Sequence, residues 1–461
     1  MPTPVRAFVR SLGLDAYVVG GAVRDELLGI PHEDEDFLVL GLDHDGLRAA
    51  LAPHGRVEEL EVHGQRVGIR LHPRDRELRK LVPAGIELTP PRVERSSGPG
   101  HKDFVIVADA NVGIVEDLGR RDFTINSMAR SLVTGALVDP FGGLADLARR
   151  ELRAVSKTSF EEDPLRILRG LRLVSQLGFA VAGETLAQMR RAAPGLIHVS
   201  PERIGGGLAA DGNGELSKLL LGRAPATALR LARDAGVLEL LLPEFAPAIG
   251  YDLGTSRQPL SLDEHLVSVV EGVSAASGDL PLLLAALLHD LGKPRKNGER
   301  GGHAAIGARI AASILSRLRY PVSVQRHVER LVAAHAFHLE PWLEPIDDGR
   351  ATRRFLAAHG AALANELVVL KAADLAAKHV SAEELAALAR LRRELDEQAA
   401  APHRLADLAV TGDDLKAIGF DEGPVLGEAL RGLLDRVVDE PSLNERETLL
   451  RLAQETKCPR P

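Results

Sequence analysis

Gly20-Gly21-Ala22-Val23-Arg24-Asp25, followed by Asp34-Glu35-Asp36 inside a β-like apolar run, is the stretch whose reading decides the rest. Paired glycines let backbone N–H groups approach a phosphate with no Cβ in the way. Arg24 stands close behind to neutralise charge. Asp34 and Asp36 are two residues apart, so on a strand they point to the same side. Held that way, two carboxylates can chelate a hard divalent cation such as Mg²⁺. A phosphate cradle, an arginine and a two-carboxylate metal site together imply nucleotidyl transfer.

Outward from this stretch, Ala16-Tyr17-Val18-Val19 reads as a buried strand entering the glycine turn. Ala22 to Leu28 reads as a helix closed by Gly29 and Pro31, and Phe37–Leu40 continues the carboxylate strand. Val67–Leu71 and Val105–Val107 are further strands. Residues 83–103 hold four prolines, three glycines and Ser96-Ser97, and read as one long loop. From about Leu144 the pattern is helical to the end, with windows at Leu165–Leu177, Pro225–Leu242, His265–Ala276 and Leu282–Leu291. Residues 376–407 read as a long amphipathic helix. Gly205-Gly206-Gly207 and Asp211-Gly212-Asn213-Gly214 mark a small flexible insertion. The organisation is therefore an α/β head followed by an all-helical remainder.

Bulk composition limits the alternatives. The 461 residues are 45% hydrophobic and 26% charged, an ordinary globular balance. Aromatics are 3%, so the cores rest on Leu, Ala and Val, as suits a mostly helical chain. A single cysteine, Cys458, excludes an internal disulfide framework or Cys-based zinc site and fits a reducing cytoplasm. No apolar run approaches membrane-spanning length and no signal peptide is evident. Net charge is −8, yet Arg149, Arg150, Arg153, Lys157, Arg166, Arg169 and Arg172 cluster. That run is either a solvated helical face or a nucleic-acid contact.

Three further motifs follow the carboxylates. Arg120-Arg121-Asp122-Phe123-Thr124-Ile125-Asn126 offers two guanidinium forks for phosphate oxygens. Val138-Asp139-Pro140-Phe141-Gly142-Gly143 is a rigid turn. In Glu162-Asp163-Pro164-Leu165-Arg166-Ile167-Leu168-Arg169, Pro164 fits a first helical turn and Arg166 and Arg169 share a face. An Asp acceptor and an Arg donor held there can read the edge of a base.

In this order the motifs resemble the class II tRNA nucleotidyltransferase/poly(A) polymerase family, and within it the bacterial CCA-adding enzymes with an HD domain. The resemblance implies an α+β fold with a polymerase-beta-like nucleotidyltransferase head (a mixed sheet with helices). An all-α neck, HD-containing body and tail would follow. The expected divisions are head 1–150, neck 151–225, body 226–380 and tail 381–461. The resemblance gives Asp34 and Asp36 as catalytic Mg²⁺ ligands, with Glu87 as third carboxylate. It gives Gly20, Gly21, Arg24, Arg120, Arg121, Asp122, Asn126, Asp163, Arg166 and Arg169 as nucleotide contacts, Asp163 and Arg166 forming the protein template for CTP and ATP. One departure stands out: after Ser200-Pro201-Glu202-Arg203-Ile204 the segment Glu215-Leu216-Ser217-Lys218-Leu219-Leu220 comes late, beyond the glycine-rich stretch.

A second constellation lies downstream. His289-Asp290 ends an apolar helix just before Leu291-Gly292-Lys293-Pro294, with His265 upstream and Asp374 downstream. Imidazole and carboxylate side by side suit a transition metal. This order resembles the HD phosphohydrolases, in which His303 and His335 fall where further histidines are common. That implies Ni²⁺ or Mn²⁺ and hydrolysis of phosphomonoesters or 2′,3′-cyclic ends, or else a relic domain supporting tRNA docking.

The expectation is a cytoplasmic enzyme, monomer or homodimer, with tRNA, CTP and ATP as partners and no membrane. It would add CMP and AMP to the tRNA 3′ end without a nucleic-acid template. An A-adding or CC-adding partial enzyme, a poly(A) polymerase, a chiefly HD phosphohydrolase and a non-catalytic RNA-binding scaffold are the alternatives. Gly64-Gln65-Arg66-Val67 in place of a GRRF-type segment argues against the polymerase, and retention of the 83–103 segment argues against CC addition.

Overall fold

The structure is a computed structural model that describes residues 3–31, 35–62, 64–96, 104–206, 213–276, 279–295, 302–343 and 348–457. Asp34 and most of the glycine-rich insertion (207–212) lie outside the described residues. The chain divides into two compact units, residues 1–243 and 244–461. Among the described residues no single helix is long and apolar enough to cross a membrane.

The first unit is built on a seven-stranded mixed sheet. Its strands are β1 (Ala16–Val19), β2 (Asp36–Val39), β3 (Gly55–Val62), β4 (Gln65–Pro73), β5 (Ile86–Thr89), β8 (Ala129–Ser131) and β9 (Leu137–Val138). They lie in the order β3-β4-β5-β2-β1-β8-β9. A separate hairpin joins β6 (Arg92–Ser96) to β7 (Phe104–Ala108). Phe37, Leu38 and Val39 are buried without alternation, as a central strand covered on both faces requires. Asp36 stands exposed at the head of that strand, so the fold buries its apolar part and presents its carboxylate. β2 and β5 are parallel, and their register sets Asp36 opposite Glu87.

Several sequence expectations need correction. Residues 83–103 are not one long loop, because β5 and β6 lie within them. Pro90 and Pro91 fall between the two strands, where no ladder N–H is required. The remainder is not wholly helical, since Glu151–Leu152 pairs in parallel with Ala180–Val181. Pro225–Leu242 is two helices, Pro225–Asp234 and Leu238–Leu241, separated at Gly236 with φ +69°. Within 376–407 the helix covers Ala382–Glu397, and it starts where Ser381 and Glu384 form a reciprocal capping box. The apolar helix at 280 ends at Leu288, one residue before His289.

The second unit is helical. Helices Leu262–Ala276, Leu280–Leu288, His303–Arg317, Val322–Ala334 and Ala361–Ala376 surround a Leu/Val/Ala core. Towards the C-terminus Leu408, Val410, Leu415, Leu433, Val437 and Leu449 form a second apolar cluster.

Candidate functional site

A cavity of about 810 Å³ opens at the head of β2. Each described residue read from the sequence as a metal or nucleotide contact of the head lines it. Gly20 ends β1 and begins the helix Gly21–Leu28 with φ +74° and ψ −136°, a region that disfavours L side chains. A Cβ there would lie 3.0 Å from Arg121 Nη1, so the bare backbone makes room for a guanidinium. Arg24, four residues on, is held by Asp25 (2.8 and 2.9 Å) and donates to Asn126 Oδ1 at 2.8 Å.

Asn126 continues the chain of bonds by donating to Asp122 Oδ1 at 3.1 Å, while Arg169 donates to Asp122 Oδ2 at 2.7 Å. Burial alone would raise the Asp122 pKa. Arg169 and the bonds from Asn126 and the Phe123 N–H outweigh it and hold the carboxyl well below the usual range. Its charge in turn pushes Arg169 up. Sequence-distant motifs are thereby tied together: the glycine turn through Arg24, the 120–126 segment through Asn126 and Asp122, and the helix Leu165–Leu177 through Arg169.

Arg120 and Arg121 close the helix Ile114–Gly119 and share Asp117, Arg120 Nε at 2.9 Å and Arg121 Nη2 at 3.4 Å. Asp117 is fully buried. Its desolvation is more than offset by the two arginines, which keep its pKa low. Asp117 was not singled out from sequence, although its i, i+3 and i, i+4 spacing to the arginine pair is the signal that would have found it. Asp139 accepts the N–H groups of Gly143 and Leu144 at 2.7 and 2.9 Å, which accounts for the rigid turn.

The base-reading pair has two different local roles. Asp163 Oδ1 accepts the Leu165 N–H at 3.0 Å and so caps the helix start. Arg166 is buried and donates to the Arg120 carbonyl at 2.7 Å and to Ser159 Oγ at 3.0 Å. Both still line the cavity. The displaced segment Glu215–Leu220 packs on the same helix. Glu215 lies 3.2 Å from Arg172 Nε, and Ser175 Oγ donates to the Leu219 carbonyl at 2.6 Å. The basic run is split rather than one face, since Arg149 and Arg153 pair with buried Asp146 while Arg166, Arg169 and Arg172 face the cavity. Arg70, Arg92 and Arg203 also line it. Arg70 pairs with Glu87 at 2.5 Å across β4 and β5. A third-carboxylate position for Glu87 is compatible with its register opposite Asp36.

The second unit gathers His265, His289, Asp290 and Asp374, all buried, with possible ligand atoms within 4.8 Å of one another. Asp290, His303 and His335 form an adjoining group. Asp290 belongs to both, its Oδ2 facing His265 and His289 (3.6 and 3.3 Å) and its Oδ1 facing His303 and His335 (3.6 and 3.3 Å). His289 and His335 each set Nδ1 on a backbone carbonyl, of Ala286 at 2.9 Å and Val332 at 2.7 Å, which leaves Nε2 for the centre. Gly292 permits the crowding, because a Cβ there would lie 2.1 Å from the His303 carbonyl.

The donor set fits a divalent metal. Among the described residues, buried Nε2 of His265 and His289, both Asp290 oxygens and Asp374 Oδ1 have no hydrogen-bond partner. Lys293 pairs with Asp290 Oδ2 at 2.5 Å and Lys378 with Asp374 Oδ1 at 2.6 Å, ion pairs that a bound metal would share or displace. Burial lowers the pKa of His265, His303 and His335 and favours neutral imidazoles that can donate lone pairs. At His289 burial is outweighed by the Asp290 and Asp374 carboxylates, which hold its pKa at about 9, so metal binding there would release a proton.

With both sites described, comparison with known proteins is decisive. Residues 16–153 match the Poly A polymerase head domain, 178–249 the probable RNA and SrmB-binding site of polymerase A, and 262–378 the HD domain. A multifunctional CCA protein of Xanthomonas campestris pv. campestris (strain B100) is 33% identical over 434 residues, 90% of this chain and 95% of the relative. The chain belongs to the multifunctional CCA protein family. Another member, from Azoarcus sp. (strain BH72), is 37% identical over 314 residues, 66% of this chain and 70% of its own. Among solved structures, the Bacillus stearothermophilus CCA-adding enzyme in complex with CTP has a TM-score of 0.68 at 25% identity, covering 99% of this chain and 98% of that one. The Thermotoga maritima CCA-adding enzyme complexed with tRNA matches in fold, with a TM-score of 0.63 at 22% identity over 99% and 97% of the two chains. Membership of the multifunctional CCA proteins accounts for a nucleotidyltransferase head and an HD domain in one chain, and it implies dependence on divalent metal.

Proposed function

We infer that this chain is a CCA tRNA nucleotidyltransferase, which adds CMP and AMP to the tRNA 3′ end without a nucleic-acid template. The observation that carries this is the cavity at the head of β2, where glycine turn, carboxylates and arginines from distant motifs converge. Asp34, Asp36 and Glu87 would hold Mg²⁺, whose charge would assist attack by the 3′-hydroxyl and departure of pyrophosphate. The Gly20 turn and the Arg120–Arg121 pair receive the triphosphate, Asp117 fixing the two forks. Asp122, Asn126 and Arg169 join that phosphate site to the helix that selects the base. Asp163 and Arg166 present acceptor and donor to the base, and Arg166 is fixed against the Arg120 carbonyl. Residues 151–225 act as the neck, and the helical body and tail grip the tRNA, a cytoplasmic partner.

Incorporation of labelled CTP and ATP, separately and together, into tRNAs lacking CCA, lacking the final A, or complete tests this reading. Stepwise addition of C, C and A is expected. Addition of only one nucleotide type would assign the chain to a partial enzyme, and long A tails on arbitrary RNA would make it a poly(A) polymerase.

The HD centre supports a second activity, metal-dependent hydrolysis of phosphomonoesters or 2′,3′-cyclic ends. Water would replace the alcohol oxygen on phosphorus. The supporting observation is Asp290, whose two oxygens face separate histidine sets suited to Ni²⁺ or Mn²⁺. Release of phosphate from a nucleoside monophosphate by the wild type, abolished in His289→Ala, is the expected result.

A further inference from the structure

A smaller cavity, of about 290 Å³, abuts the HD centre. Asp374 belongs to both, as a candidate ligand on one side and as part of the cavity wall on the other. Lys371 also lines it, at i−3 from Asp374 on the helix Ala361–Ala376, and so does Lys378, which lies just beyond that helix with its Nζ 2.6 Å from Asp374 Oδ1. Arg257 stands at the rim and is engaged by Glu384 through a two-pronged ion pair, one arm at 3.0 Å.

Lys371 is the unusual member. It is partly buried, and desolvation pushes its pKa below the usual lysine range. Among the described residues no carboxylate lies within ion-pair distance of its ammonium. Its ammonium sits over the face of Phe337, 4.7 Å from the ring centroid, and Phe337 leans on Phe355 with centroids 4.9 Å apart. Asp374 and Asp290 attract it from beyond ion-pair distance and the ring offsets part of the desolvation, yet among the described residues no neighbouring charge neutralises it directly. Its placement makes sense if an anion completes it.

We propose that Lys371, assisted by Lys378, is the phosphate-binding side of the HD centre and positions the phosphoryl group of its substrate, with Leu339, Leu343 and Leu375 receiving the less polar remainder. Two ammonium groups act as point charges for the oxygens of a tetrahedral dianion, which has more acceptor sites than a carboxylate and can face the cations and the metal ligands together. The inference rests on the hydrolytic reading of this centre but names residues outside its ligand set.

The test titrates inorganic phosphate into the full-length, Mn²⁺-loaded protein by calorimetry and records thermal unfolding of the same samples. Lys371→Met is expected to weaken phosphate binding by about tenfold or more while leaving the melting temperature unchanged or higher. Lys371→Arg is expected to bind within a few-fold of wild type. Wild-type phosphate affinity in Lys371→Met, or no phosphate binding by the wild type, would overturn the proposal. A fall in melting temperature in Lys371→Met without weaker phosphate binding would assign the residue to structure and overturn it too. Hydrolysis is scored separately. A wild type that binds phosphate through Lys371 but cleaves no phosphomonoester would remove the hydrolytic reading and leave the anion site standing.

Discussion

At the scale of single residues, Asp122 shows how the head spends charge. It is buried and ionised, and its Arg169 partner comes from another motif. Asp122→Asn removes the nearest counter-charge of Arg169, which is partly exposed and retains the more distant Glu215 and Asp163, and is expected to cost about 1.5–3 kcal/mol at neutral pH. The pH dependence follows from the depressed folded-state pKa. The stabilisation is present above the ordinary value of 3.8 and fades as pH falls below it towards the folded value. Denaturant unfolding of wild type and Asp122→Asn should therefore differ most at pH 7 and converge in acid. Asp36 makes a different prediction. It is exposed at a strand start and contributes little packing, so Asp36→Ala should lower nucleotide incorporation by about a hundred- to thousandfold with little change in stability. Retained incorporation would overturn its assignment.

Between elements, the decisive contact is the helix Leu165–Leu177 against the 120–126 segment. Gly170 has no room for a side chain: a Cβ would sit 2.7 Å from Phe123 Cζ and 2.5 Å from Met189 Cε. Its neighbour Arg169 grips Asp122, the neighbour of Phe123, so packing and charge pairing depend on the same approach. Gly170→Val should cost about 1–3 kcal/mol through overpacking and lower incorporation with it. Double-mutant comparison with Asp122→Asn should show non-additivity, because both changes disturb one junction. The Gly20 turn is the second such place. Gly20→Ala adds backbone strain of about 1–2 kcal/mol and a Cβ 3.0 Å from Arg121 Nη1. A higher KM for CTP and ATP is the expected kinetic sign.

Across the whole molecule, the two candidate sites lie in separate compact units. Asp290→Ala is expected to abolish phosphate release and leave CTP and ATP incorporation near the wild-type rate. Loss of both would show that the sites are coupled. Chelation should stop both activities. Mg²⁺ is expected to restore incorporation, and Ni²⁺ or Mn²⁺ hydrolysis, since carboxylate oxygens suit the harder ion and imidazoles the softer ones.

Local grammar is legible in the residues alone: β1 over Ala16–Val19, the helix Leu165–Leu177, the glycine turn between strand and helix, and the His-Asp pair closing an apolar helix. These follow from short-range rules of period, capping and φ, which need no partner to be legible. The sequence also named the residues that converge, because motif order survives in one dimension. It misread 83–103, where prolines that sit between strands look the same as prolines in a loop. It overran 376–407, where a capping box outweighed composition. Packing of the folded chain sets Asp117 against Arg120 and Arg121, Glu87 opposite Asp36, and Lys371 beside the HD centre with a ring beneath it. Strand register and contacts between distant elements come from the packing of the whole chain, and no local pattern encodes them.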